Sequence, residues 1–239
     1  MSGSQTKSGT AAPGDFFNAE MAARYDERNS KLSPISDCMH FLFRLALENL
    51  PETARILCVG VGTGAEILSL SKARPGWRFV GVDPSGSMLD VCREQLHKAG
   101  ILDRCDLVEG EVHDILAPEA FDAVLTIMVA HFVDQDERPR FYRAIHDRLR
   151  PGGCYVSTEI SHDLDAADFP SMLTNWGRIQ SLMGANPDSL NALPDTLRNV
   201  LAVVSPADTE ALWRQAGFDQ PVCFFQAFMA RGWYGWKNC

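Results

Sequence analysis

The spacing of hydrophobic and polar positions changes twice along this chain. Over residues 16–49 apolar side chains recur at three and four, the period of a helix. FFNAEMAARYDERNSKL carries them at mixed spacing, and DCMHFLFRLALENL forms a stronger amphipathic stripe that stops at Pro51. From Arg55 onward, short β-rich apolar runs alternate with helical periods. RILCVG, WRFVGVD, RCDLVEG, FDAVLTIMV and CYVSTEI read as strands. TGAEILSLSKA, SGSMLDVCREQLHKAG and DQDERPRFYRAIHDRL read as helices, the second closed by Gly100 and the third stopped at Pro151, Gly152 and Gly153. This βαβ rhythm predicts a parallel sheet with helices on both faces.

After the fifth strand the rhythm fails. Residues 163–200 hold no clear strand, and Pro170, Pro187 and Pro194 cut the region into short helices. SPADTEALWRQAGF is a further helix with Ser205 as its cap and Pro206 in its first turn. VCFFQAFMARGWYGWK then offers two strands split near Ala230–Gly232, which without a crossover must pair antiparallel. The small, polar residues 1–14 are expected to be disordered. That leaves one domain over 15–239, with a helical cap at 15–50 and a helical insertion at 163–200. The insertion is too long for a plain loop. Its apolar face, including Met172 and Trp176, suits a lid over a substrate.

Composition narrows the function. A chain of 239 residues, 46% hydrophobic, can bury one core with room for an insertion. A formal charge of −9 disfavours a nucleic-acid partner. Seven cysteines, an odd number without a C-x-x-C pair, suggest neither disulfides nor zinc, but small buried side chains in a reducing, cytoplasmic compartment. No apolar run reaches ~18 residues, so no membrane span is expected, and no signal-peptide pattern opens the chain. His131, Asp134 and Glu137 are too loosely spaced for a metal site, and acids at a helix start have a simpler electrostatic reason.

The chemistry concentrates in ILCVGVGTGAE, residues 56–66, where a strand enters a glycine turn. Glycine permits positive φ and close approach of a ligand to the backbone, and the following helix N-terminus favours negative groups. Gly60, Gly62 and Gly64 give G-x-G-x-G, while ending on Ala65 gives the dinucleotide pattern G-x-G-x-x-A. Asp83, at the end of the second strand, can accept both hydroxyls of a ribose, whether of NAD or of S-adenosylmethionine (SAM). Met88, in VGVDPSGSML, lies just over a helical turn further on, where an apolar side chain can cover an adenine face.

With these stretches in view, the chain resembles a class I SAM-dependent methyltransferase over residues 16–236. ILCVGVGTGAE, VGVDPSGSML, LVEGEVHDI, FDAVLTIMVAHFV and LRPGGCYVSTE stand in the family's order and spacing. The resemblance implies a Rossmann-like, doubly wound α/β fold with a seven-stranded sheet in the order 3-2-1-4-5-7-6, the last strand antiparallel. It implies SAM as cofactor and S-adenosylhomocysteine as product. It assigns Gly60, Gly62 and Gly64 to the cofactor, Asp83 to the ribose, Glu111 and Val112 to the adenine edge, and Ile127 and Met128 to the methionine part. Cys58 departs from the acid usual at its position, and a thiol cannot make a carboxylate's contacts.

The arms of the chain, FFNAEMAARYDERNSKLSPISDCMHF with RNVLAVVSPADTEALWRQAGF and FFQAF, are similar to the carboxy-SAM synthases of tRNA wobble modification. That similarity implies a homodimer. Those enzymes hold their extra carboxylate with an arginine, but Pro194 stands at the matching position here and cannot pair a carboxylate. Arg198, about one helical turn further on, is the candidate substitute. Ordinary methyl transfer to a small molecule is therefore the leading expectation. A carboxy-SAM synthase, a non-catalytic SAM-binding protein and, on G-x-G-x-x-A alone, an NAD oxidoreductase are the alternatives. SAM carries its own reactivity, so the protein's task is to place the acceptor and exclude water. Tyr25 matches a position that closes over the sulfonium, where an aromatic face favours a cation. His131, after the fourth strand, is the candidate base. Glu159 and His162, at the end of the fifth strand, face the same cleft if the strand phase is right.

Overall fold

In the computed structural model of the chain, residues 19–238 are described. The segment 1–14 lies outside them, as does the start of the cap. Two helices open the fold, α1 (Ala19–Ser30) and α2 (Ser33–Ala46). An alternating series follows: β1 (Arg55–Val59), α3 (Ala65–Ala73), β2 (Arg78–Asp83), α4 (Gly86–Lys98), β3 (Cys105–Glu109), β4 (Phe121–Ile127), α5 (Arg138–Arg148) and β5 (Leu149–Ile160). Then come α6 (Phe169–Leu182), α7 (Pro187–Asn191), short helical turns to Val200, α8 (Pro206–Ala216), and the strands β6 (Phe218–Ala227) and β7 (Ala230–Lys237).

The seven strands form one sheet in the order β3-β2-β1-β4-β5-β7-β6. The first five pair in parallel, and β7 runs antiparallel to both β5 and β6. This is the expected Rossmann-like order. Alternation along β1 sends Ile56 and Cys58 into one core, with Phe43, Ile67 and Leu70, and Leu57 and Val59 into another, with Tyr142, Tyr155 and Trp213. Both faces of the sheet are therefore buried, which is why the strands read as continuous apolar runs. On the second face Tyr155 stacks on Trp213 with ring centroids 4.2 Å apart. Among the described residues, no helix is long and apolar enough to cross a membrane.

Three boundaries differ from the sequence reading. Strand β5 begins at Leu149, so Pro151, Gly152 and Gly153 lie inside it; a register shift opposite Phe121 and Ala123 absorbs them. Helix α5 starts only at Arg138, with Pro139 in its first turn. The turn between the last strands falls at Phe228 and Met229, before Ala230, and Phe228 takes the positive φ of 53° it requires. Ser205 caps α8 through its Oγ, which accepts the Asp208 N–H at 3.1 Å.

Strand order reverses between β1's two neighbours, β2 and β4. A crevice opens beyond the carboxyl ends of such strands, and ligands of open α/β sheets bind there. The cap and the insertion both reach it. Asp26 of α1 accepts hydrogen bonds from Thr63 in the glycine turn at 2.7 Å and from Gln95 of α4 at 2.6 Å. Arg28 donates to the carbonyl of Met183, just past α6, at 3.3 Å.

Candidate active site

A cavity of about 520 Å³ occupies this crevice. Its floor is the glycine turn and the ends of β2 and β4; its walls come from α1, α2 and α6; Phe225, Ala227 and Ala230 of the last strands close one side. That volume suits a nucleoside-sized ligand with a small second molecule.

The turn has the shape its glycines require. Gly60 and Gly62 line the cavity with φ of 65° and 53°. A Cβ on Gly60 would lie 2.6 Å from a methyl of Val129, and one on Gly62 3.4 Å from Cε of Met88. Gly64 plays a different part from the one assigned to it. It is not in the cavity wall, and a Cβ there would lie 2.7 Å from Sγ of Cys92, so it lets α3 pack on α4. Asp83 is 7% exposed and accepts the Gly62 N–H at 2.8 Å and the Ser85 N–H at 2.9 Å. Burial raises its pKa, and these two hydrogen bonds oppose the rise. A carboxylate offers about four acceptor sites, so two remain for a diol. Met88, Ile127, Met128, Tyr25 and Trp176 also line the cavity. Met128 is held at φ 59° while its N–H donates to Thr158 O at 2.7 Å and Oγ1 at 3.0 Å. A left-handed methionine costs energy and marks a position fixed by its surroundings.

His131 lines the cavity too, but not as a base. It is 3% exposed, and its Nδ1 accepts the Ile160 N–H at 3.3 Å. Burial, reinforced by the charge of Arg138, pushes its pKa down to about 3. The ring is therefore neutral with its proton on Nε2, a donor and not a proton acceptor near neutral pH.

Several expected site residues lie elsewhere. Glu159 is fully buried on the opposite face of β5, paired with Arg138 at 2.7 Å and accepting from Thr209 at 3.1 Å. Arg138 also donates to the Ala202 carbonyl at 2.6 Å, so this knot joins α5, β5, α8 and the end of the insertion. His162 sits beside Asp168, 3.4 Å away, and stacks on Phe169, outside the cavity wall. Arg198 donates to Asp165 at 3.0 Å and to the Leu164 carbonyl at 2.6 Å, which ties the insertion to itself. Met172 packs against the core one turn before Trp176. Glu111 is exposed, its N–H held by Asp114 at 2.8 Å, and Val112 is buried in the second core. Neither lines the cavity.

Other cavity residues carried no sequence assignment: Asp26, His40, Thr63, Glu66 and Ile179; Met183, expected on the apolar face of the insertion, also lines the cavity. Asp26 is adjacent to Tyr25, and Glu66 closes the quoted glycine motif, so both were within reach of the motif argument. Cys58 is wholly buried and absent from the cavity wall; burial raises its thiol pKa well above the ordinary value.

Residues 56–153 match the family model described as a methyltransferase domain. The chain carries a methyltransferase domain over these residues. In this methyltransferase SAM is the cofactor, and the glycine turn, the diol-ready carboxylate of Asp83 and the apolar cover of Met88 fit it. Curated relatives span nearly the whole chain. A carboxy-S-adenosyl-L-methionine synthase of Klebsiella pneumoniae is 23% identical over 229 residues, 89% of this chain and 92% of that one. One of Yersinia enterocolitica is 26% identical over 220 residues, 90% and 82% of the two chains. Among solved structures, an O-methyltransferase family protein of Burkholderia thailandensis aligns with a TM-score of 0.68 at 14% identity, covering 92% of this methyltransferase and 60% of that chain. Phosphoethanolamine N-methyltransferase 2 of Haemonchus contortus, in complex with SAM, aligns at 0.64 and 15% identity, covering 95% and 60%. These structural likenesses carry the fold.

Proposed function

We propose that this methyltransferase alkylates a small, uncharged and largely apolar acceptor bound between the cap and the insertion. The observation that carries the reading is the charge of the cavity wall. Among the described residues lining it there is no lysine and no arginine, while Leu32, Ile35, Met39, Trp176, Ile179 and Phe225 supply its apolar surface. An anionic acceptor would find no cationic side chain in the described wall and would depend on the sulfonium alone for compensation, which is costly in a buried site.

SAM supplies an electrophilic methyl on a cationic sulfonium. The chain's residues then bind and orient. Asp83 takes the ribose hydroxyls, and Met88 covers the adenine. Ile127 and Met128 flank the methionine part. Tyr25, whose pKa is raised chiefly by burial, stays a neutral phenol and presents a π face suited to a cation. His131 offers Nε2–H to a lone pair of the acceptor and so orients it. His40 of α2 is the other imidazole in the wall. Burial lowers its pKa, which leaves it neutral at pH 7 and able to take a proton from a hydroxyl or amine. Trp176 and Ile179 exclude water.

The likeness to carboxy-SAM synthases over most of the chain supports a second reading, chemistry on SAM itself. Against it, Pro194 stands where those enzymes place an arginine, Arg198 is committed to Asp165 and Leu164, and the described residues of the wall include no guanidinium for a second carboxylate. The homodimer belongs to that likeness and is kept as the working assembly. The six described free thiols, three of them buried, suit a cytoplasmic setting. Identifying the nucleotide released from the denatured protein by mass spectrometry tests both readings. SAM or S-adenosylhomocysteine is expected. Carboxy-SAM would favour the second reading, and NAD would end both. Turnover with neutral and anionic acceptors then tests the acceptor class.

A further inference from the structure

Glu66 is the second residue of α3, directly after the glycine turn. It is 6% exposed, and its side chain forms part of the cavity wall. Among the described residues, no other side chain hydrogen-bonds or ion-pairs with its carboxyl; only its own backbone N–H is turned toward it. The titratable groups facing it are Asp83 of β2, Tyr25 of α1, Cys58 of β1 and Cys92 of α4. They are a carboxyl, a phenol and two thiols, and none can supply a positive charge. A buried acid with no cation beside it is a poor packing element, because its desolvation goes uncompensated. Among the described residues none supplies that compensation, and the side chain opens onto the cavity.

The same corner of the site lacks an acid in another sense. Cys58 stands where a carboxylate is usual, and its thiol is buried beneath the turn, out of the cavity wall. Glu66 is close enough to Cys58 to act on it electrostatically. A thiol at the end of β1 is thus accompanied by a carboxyl on the first turn of α3.

We propose that Glu66 is the acid that receives the ammonium group of the methionine end of SAM, in place of the missing acid at position 58. The proposal rests on reading the cavity as a SAM site. It requires no change in the turn, only that the ligand's cation lie against the wall that Glu66 forms. Burial, reinforced by Asp83 and opposed by Glu66's own N–H, raises the Glu66 pKa to about 8. The carboxyl is therefore mostly protonated at neutral pH before the ligand arrives. A bound ammonium favours the ionised form, so binding releases a proton, and affinity rises between about pH 6.5 and about pH 8.5.

The test is calorimetry on the full chain with two ligands. S-adenosylhomocysteine carries the ammonium; 5′-deoxy-5′-methylthioadenosine shares the nucleoside and thioether but lacks the amino acid. Glu66→Gln keeps the shape of the side chain and removes its charge. The variant is expected to bind S-adenosylhomocysteine about tenfold or more weakly and the truncated nucleoside within about twofold of the unmodified chain. Proton release on binding S-adenosylhomocysteine, read from two buffers of different ionisation enthalpy, disappears in the variant. Unchanged affinity for S-adenosylhomocysteine would overturn the proposal, and so would an equal loss for both ligands. If the unmodified chain binds neither ligand, the SAM site itself is wrong and the role of Glu66 goes with it.

Discussion

Asp26 Oδ1 accepts a hydrogen bond from Thr63 Oγ1 at 2.7 Å, so the cap helix is fastened to the glycine turn itself. Gln95 holds the other oxygen of the same carboxylate at 2.6 Å. The cap thus closes on two elements that both line the cavity, through Thr63 and through Met88 of α4. Asp26→Ala is expected to weaken S-adenosylhomocysteine binding by ~1–2 kcal/mol, the range for hydrogen bonds to a charged group that is partly solvated. Thr63→Val removes the same contact from the other side, so the double variant loses less than the sum of the two singles. Calorimetry of the three variants checks the coupling; strict additivity would mean the latch contributes nothing to binding.

Asp83 is a second buried acid at the cavity. Two of its acceptor positions are filled by the N–H groups of Gly62 and Ser85, so it shapes the turn as well as offering sites to a ribose. Asp83→Asn keeps the side chain's size and removes its charge. We expect SAM affinity to fall by ~1–3 kcal/mol, with an S-adenosylhomocysteine analogue lacking the ribose 2′-hydroxyl showing a smaller difference between the two proteins. Equal affinity of the variant for SAM would displace the ribose from Asp83.

The strands and helices were legible because each unit carries its own period, and the antiparallel last pair because β6 and β7 follow one another with no room for a crossover; the strand order itself came from the family resemblance. The floor of the cavity was legible because motif spacing fixes backbone positions. Side-chain direction was not. Ile160 lines the cavity, so Glu159, one residue earlier, points to the other face and meets Arg138. The phase of that strand depends on which helices cover it, and no local pattern encodes this. Arg198 failed as a site residue for a related reason: its partners, Leu164 and Asp165, lie more than thirty residues back in the chain. Glu66 stood in plain view within the motif, but a glutamate opening a helix ordinarily needs no further explanation.

His131 makes a prediction about proton inventory. Its ring is neutral because burial, then Arg138, lowers its pKa to about 3. A histidine depressed in this way contributes stability that is present above the unfolded value near 6.5 and is lost as the pH falls toward 3. Its carbon-bound proton shifts, followed by NMR, should stay constant between about pH 5 and about pH 8. A titration midpoint inside that window would restore His131 as a base. His131→Gln, which keeps a donor near the same place, should retain more turnover than His131→Ala.

The Arg138–Glu159 pair joins four segments and has no access to solvent. Removing either partner leaves the other charge buried alone, which costs roughly 3–5 kcal/mol. Glu159→Gln and Arg138→Met should each lower unfolding free energy in urea by about that amount. Neither should alter the ratio of rates for two competing acceptors, because the pair does not touch the cavity. A changed acceptor preference would show that the knot sets the position of the insertion.

Glu66 makes the unbound protein alkali-sensitive, and the sign can be worked out. Its folded pKa, about 8, lies above the ordinary carboxyl value of 4.5, so the folded state holds a proton that the unfolded state has already lost. The associated stability is fully present below about pH 4.5 and is lost as the pH rises through about 8, at up to ~1.4 kcal/mol per pH unit between the two. Glu66→Gln has no such proton to lose. Without ligand, the variant and the unmodified chain should unfold at similar temperatures near about pH 5, and the variant should be the more stable near about pH 8. Saturating S-adenosylhomocysteine should narrow the gap at alkaline pH, because its ammonium compensates the ionised carboxylate only in the unmodified chain. Parallel stability curves for the two proteins across this range would mean that Glu66 titrates normally and meets solvent.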